Sequence, residues 1–153
     1  MDRRQVLKGA GAASAVGVAV MAGLLKPTDA FAAWNKAGFE SKDLGAAMGS
    51  VGASGAAASG DVAVKAPDIA ENGAVVPVEV ISSIAGTTGI AIVAEKNSLP
   101  LIADFTFSNG GEGYVSTRIK MGATSNVVGI VKAGGKVYKG HKEVKVTIGG
   151  CGG

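Results

Sequence analysis

From Asp61 to Ile148 the chain falls into short runs of β-branched and aromatic residues, each closed off by Gly, Pro, Asn or Ser, and this recurrence is the tightest restriction on its fold. Runs so short and so closely spaced, with no long helical repeat between them, build antiparallel sheets that pack face to face. The segments are residues 61–65, 75–81, 89–96, 101–107, 114–121, 126–132, and 136–138 with 143–148. They give about seven strands, the number an all-β, immunoglobulin-like antiparallel β-sandwich requires. Alternation is clearest where Val115, Thr117 and Ile119 face one way and Ser116, Arg118 and Lys120 the other. It returns at the end, where Val144, Val146 and Ile148 alternate with Lys145 and Thr147, so the last strand has one buried face. Pro77 inside a strand run marks an edge or a bulge. Lys139-Gly140-His141-Lys142 has the composition of a turn, which makes His141 a solvated loop residue.

Two further regions precede the sandwich. Trp34, Ala37, Leu44, Ala47 and Met48 fall near the helical three-or-four repeat, with Lys36, Glu40, Lys42 and Asp43 between them, and predict a short amphipathic helix. Residues 49–60 are almost entirely Gly, Ala and Ser and are expected to be a flexible connection with too little apolar content to bury.

The first 32 residues have the layout of an address. Arg3 and Arg4 stand ahead of an Ala/Gly/Val run from Gly9 to Leu25, and Ala30-Phe31-Ala32 supplies an A-x-A cleavage site, the pattern of a twin-arginine signal peptide cut after Ala32. The run is short and glycine-rich, below the roughly 20 strongly apolar residues of a spanning helix, so no membrane association is expected once the leader is gone. The divisions are therefore 1–32 signal, 33–60 helix and linker, 61–148 sandwich and 149–153 arm. Four of the fifteen basic and two of the twelve acidic side chains lie in the leader, which leaves the remainder near neutrality and removes the electrostatic case for nucleic acid. Twin-arginine export carries folded proteins, so a small chain without a cofactor motif is expected to take a leaderless partner across with it.

The chemistry is concentrated in Gly149-Gly150-Cys151-Gly152-Gly153, which follows the last strand directly. Glycines offer no side chain to pack and lose the most entropy on ordering, so a flexible arm is expected, with the sulfur roughly 10 Å beyond the sheet. Cys151 is the one cysteine, so the exported chain has no internal disulfide, and a lone exposed thiol in an oxidising compartment needs a chemical reason. A free thiol titrates near 8.5 and no cation is closer in sequence than Lys145, so activation is expected from whichever enzyme grips the arm. One Cys and one His do not make a closed metal shell, and no metal or other cofactor is expected. With no acid/base pair or triad in view, the chain is read as a covalent carrier rather than an enzyme.

The GGCGG tail after Glu143-Val144-Lys145-Val146-Thr147-Ile148 resembles the SoxY family, the sulfur-compound carriers of the thiosulfate-oxidising Sox system. Three other stretches are similar to that family: residues 66–73 running into 75–78, residues 116–121, and residues 124–127. The resemblance implies an Ig-like sandwich paired with a SoxZ-like subunit exported on this chain's leader. It also implies thiosulfate joined oxidatively to Cys151 by a SoxAX-like haem enzyme, and sulfate then released by a SoxB-like dimanganese hydrolase to leave a persulfide. Cys151 carries over as the attachment site, with Gly149, Gly150, Gly152 and Gly153 as its arm. Residues 49–60 are the least family-like part. An exported structural or interaction module is the competing reading, since fold does not fix function, but it leaves the cysteine unexplained. Arg118 and Lys120 present the same ambiguity, as guides for anionic partners or as an ordinary solvated strand face.

The leader is testable by itself. Intact-mass measurement of the exported protein is expected to place the new N-terminus at Ala33.

Overall fold

Valine at every second position of a strand puts a row of branched side chains on one face, and in the seven-residue strand from Val76 to Ser82 that row, Val76, Val78 and Val80, is no more than 1% exposed. Burying each such side chain contributes about 1.5–3 kcal/mol, so this face sets where the core lies. The computed structural model describes residues 34–108 and 110–147, in which nine strands and two short helices follow in order. The helices are α1 (Lys36–Phe39) and α2 (Leu44–Ser50). The strands are β1 (Ala57–Ala58), β2 (Val62–Lys65), β3 (Ile69–Ala70), β4 (Val76–Ser82), β5 (Thr87–Ala94), β6 (Leu101–Thr106), β7 (Tyr114–Ile119), β8 (Ser125–Ala133) and β9 (Lys136–Val146).

Two sheets form. One has the order β1-β9-β8-β5-β6 with β3 also on β9, and the other is β2-β4-β7. Their facing rows make the main core, where Val76, Val78, Val80, Val115 and Ile119 meet Ile90, Ile92, Val127, Val131 and Val144. This is the expected all-β sandwich. Crossing from β4 to β5, back from β6 to β7 and over again from β7 to β8 gives it the immunoglobulin-like connectivity. The alternation foreseen in residues 114–119 is present, with Val115 and Ile119 buried and Tyr114, Ser116 and Arg118 exposed. Pro77 lies in the central strand of the small sheet, yet β2 ends at Lys65 opposite Glu79, so beyond that point β4 is paired only with β7. The missing N–H therefore breaks no ladder on the β2 side.

Four expectations change. The single amphipathic helix is two short ones, each with its own cap: Asn35 Oδ1 accepts from the Gly38 N–H at 3.1 Å and Asp43 Oδ1 from the Ala46 N–H at 2.7 Å. Two such caps start two helices rather than one, and Trp34 lies ahead of both, 69% exposed. Residues 49–60 are not a loose connection. Val51 and Ala53 are 3% and 1% exposed and, with Ala47, pack on Ala91, Val93, Leu101, Val128 and Ile130 of the large sheet's outer face. Phe39, Leu44 and Met48 pack against the same cluster, so Ala47, Val51 and Ala53 complete a cover begun by larger side chains, and β5 and β8 are consequently buried on both faces. The supposed turn at 139–142 is the middle of β9, an unbroken strand of eleven residues in which His141 pairs with Val128 and stays exposed. Finally, β1 and β3 pair with β9 in parallel, an exception to the antiparallel rule in the rest of the sandwich.

Both parallel pairings are on one chain excursion. The backbone runs along β9 as β1, leaves to form β2 in the other sheet, and returns to β9 as β3. The crossing is close: a Cβ on Gly140 would lie 2.1 Å from the Val62 carbonyl oxygen, and one on its cross-strand partner Gly129 2.8 Å from Val80 Cγ1. Backbone cannot yield as a side chain tip does, so Gly140 is required by approach rather than by dihedral angle. Gly140→Ala is expected to destabilise the fold by at least about 1–3 kcal/mol. Gly55→Ala, with nothing within 4 Å of the new methyl, should leave the urea midpoint nearly unchanged.

Candidate functional site

Cys151, the flexible arm expected of Gly149, Gly150, Gly152 and Gly153, and the export residues Arg3, Arg4 and Ala32 lie outside the described residues. What the structure describes is the root from which residues 148–153 continue. There the chain is held from two sides. On one flank the parallel register sets Ile69 against Lys145 and Ala70 against Val146, so the Lys145 N–H donates to the Asp68 carbonyl at 3.0 Å and the Thr147 N–H to the Ala70 carbonyl at 3.1 Å. The Val146 N–H donates to Thr124 Oγ1 at 2.9 Å, a side-chain bond that stands in for a ladder bond where β8 has not yet begun. Beneath them Gly73 has no room for a side chain, with Met121 O 2.5 Å and Val146 Cγ1 2.8 Å from where a Cβ would sit, and its carbonyl accepts from the Met121 N–H at 2.7 Å.

The sequence pattern accounts for this local structure. Val144 and Val146 drop inward to the core while Lys145 and Thr147 stay exposed, so the strand keeps its buried face up to its last described turn of alternation. The three family-like stretches that accompany the tail converge on this root: residues 66–73 supply Asp68, Ile69, Ala70 and Gly73, residues 116–121 supply Met121, and residues 124–127 supply Thr124. Around it lies a depression of about 320 Å³ lined by Asp68, Ile69, Lys142, Glu143 and Lys145. Lys142 pairs with Asp68 across it. The hydrogen bond from Lys142 and then its charge, with a further contribution from Lys145, hold the Asp68 carboxyl below the ordinary carboxylate range.

Arg118 and Lys120 are not drawn into this site. Arg118 is on the outer face of the small sheet opposite Pro77, and Lys120 follows β7, where its carbonyl accepts from Asn97 Nδ2 at 2.6 Å. His141 lines a separate depression with Lys139, Glu95 and Asn126. Among the described residues no group of three or more His, Asp or Glu side chains is arranged to hold a metal ion, and no helix is long and apolar enough to cross a membrane. Sequence reasoning missed Asp68, Ile69, Thr124 and Lys142. For the first three the one signal was the family-like stretches themselves, in which they sit without any recognisable chemical motif, and Lys142 had none.

The model of the family described as sulfur oxidation protein SoxY matches residues 48–151, so the match passes through the root and reaches the cysteine. The chain belongs to the SoxY family. A SoxY structure, that of the sulfur carrier protein from Chlorobium limicola f thiosulfatophilum, is similar at 48% identity, covering 59% of this chain and 82% of that one with a TM-score of 0.54. No curated protein sequence matches. The SoxY match leaves out α1 and the first residues of α2 but includes residues 49–60, expected from the sequence to be the least family-like part, which lead from α2 across the outer face of the large sheet.

The Lys142–Asp68 pair is exposed and screened by salt, so its signature is a titration rather than a melting point. Because the folded-state pKa of Asp68 is depressed, its contribution is present above the ordinary carboxylate pKa and is lost as pH falls through the folded value. In a carboxyl-detected NMR titration Lys142→Ala is expected to move Asp68 back up toward the usual range, and added salt to move it part of the way.

Proposed function

We propose that this chain is a covalent sulfur carrier, holding pathway intermediates on Cys151 while separate enzymes act on them. The observation that carries this reading is the extent of the family match, which runs to residue 151 itself, together with a 48% identical relative that is a sulfur carrier protein. A carrier has no need of a catalytic group of its own. It needs one nucleophilic atom on a narrow stem and a firm body behind it, and the paired root of β9 supports the second requirement.

In the first step the Cys151 thiol and thiosulfate join through a new sulfur–sulfur bond, losing one proton and two electrons to a haem enzyme of the SoxAX kind and leaving an S-thiosulfonate on the cysteine. Water then cleaves the bond between the outer sulfur and the sulfone in a dimanganese hydrolase of the SoxB kind, releasing sulfate and leaving a persulfide. No step needs a cofactor in the carrier. The reading includes a heterodimer with a SoxZ-like subunit that crosses with this chain by the twin-arginine route, and hence a periplasmic location. Ile69, Val75, Leu99 and Tyr114, between 45% and 57% accessible, are apolar surface open to contact with other proteins.

Intact-mass spectrometry under non-reducing conditions tests the proposal. Protein isolated from thiosulfate-oxidising cells is expected to carry reductant-labile sulfur adducts that fragmentation localises to Cys151. Cys151→Ser should fold and pair normally, yet lose the adducts and thiosulfate-dependent activity entirely; retained activity would overturn the reading.

A further inference from the structure

The geometry points to the patch around Ile69, with Lys145 beside it, as a docking platform shared by the enzymes that process the arm; this rests on the carrier reading above. Reach limits where those enzymes can sit. Cys151 is four residues beyond Thr147, so covalent geometry keeps it within about 14 Å of that residue whatever path the chain takes. An enzyme that closes a cleft around the sulfur is therefore brought against the surface from which the stem departs. That surface is fixed by the parallel pairing of β3 with β9, and its most prominent feature is an isoleucine.

Ile69 is 57% exposed although its neighbour Ala70 is buried, and it stands opposite Lys145 in the register. Around it are Asp68, Lys142, Glu143 and Lys145, which line the depression at the root. An exposed branched side chain rimmed by polar groups has the form of an interface anchor: the apolar centre gains from losing water, and the rim sets orientation. Here Lys142 is engaged by Asp68, whereas Lys145 takes part in no ion pair among the described residues. The occupant is accordingly the rim of an enzyme cleft with an apolar socket for Ile69 and a carboxylate for Lys145. Because Lys145 N and Thr147 N are both tied to the segment that carries Ile69, the anchor and the departure point of the stem move as one piece. Docking at Ile69 thus aims the stem, and one platform serves successive enzymes.

The test uses the full-length carrier with its partner subunit, loaded at Cys151 and turned over by the sulfate-releasing hydrolase. Ile69→Asp and Lys145→Glu are each expected to raise the KM for the loaded carrier at least about tenfold with little change in kcat, while Ile69→Val stays near wild type. Alkylation of Cys151 by iodoacetamide and the thermal midpoint should be unaffected. Lys136→Glu makes the same charge change at the far end of β9, roughly 30 Å away, and should leave KM unchanged. Wild-type KM in both platform variants would overturn the inference, as would loss of the partner subunit on gel filtration, which would assign the patch to the subunit interface. A loaded wild-type carrier that the hydrolase does not process would instead overturn the carrier reading, and this inference with it.

Discussion

The rest of the structure depends on the contact between the Val62 carbonyl and the bare backbone of Gly140. Around that crossing the chain pairs with β9 at Ala57 and Ala58, forms β2 in the opposite sheet, and comes back to pair at Ile69 and Ala70. The excursion joins the two sheets along one side without a disulfide. It also returns residues 68–70 to the strand that leads into the cysteine-bearing tail, so the clasp on β9 is a product of the core's closest approach rather than a separate device.

Core and root thus share one strand. β9 spends Tyr138, Val144 and Val146 on the interior, while His141, Glu143 and Lys145 are exposed together with Thr147. At the root the bonds that hold the β9 backbone are mostly backbone to backbone, with Thr124 Oγ1 accepting from the Val146 N–H as the side-chain exception. Such bonds each contribute only about 0.5–1.5 kcal/mol, but several in series hold an orientation that a single ion pair at the surface would not.

Strand positions were legible wherever one face was buried and the other wet, as in β7, and wherever both faces were buried, as in the apolar run of β5. They were illegible where a residue type signalled one thing locally and tertiary structure imposed another. Gly140-His141 has turn chemistry by composition, yet Gly140 is a glycine because another backbone passes over it, and pairing with β8 carries the strand straight through. Residues 49–60 are poor in large side chains and so read as unable to pack. Ala47, Val51 and Ala53 are buried all the same, because they share a cluster with Ala91, Val93, Leu101, Val128 and Ile130 of the sheet. The attachment residue proposed above stands out in the sequence because a lone cysteine between glycine pairs has no partner for an internal disulfide, which leaves its reactivity as the reason to single it out, though it lies outside the described residues. The residues that hold the root were not legible in this way, since Asp68 and Thr147 act through backbone groups and Thr124 through its hydroxyl, on partners up to 77 positions apart in sequence.

The pairing of β9 on two flanks, by β8 and by β3, has a mechanical consequence. Under the proposed carrier reading, an enzyme that drew the tail into its cleft along the line of the strand would load β9 along its own axis, and the ladder bonds to β8 and β3 lie across that axis. Loaded this way, the bonds resist in shear and share the force, whereas a tail peeled away sideways would break them one after another like a zipper. A body held in this way could be towed by its own terminus without the sheet fraying, a property suited to the carrier role proposed above.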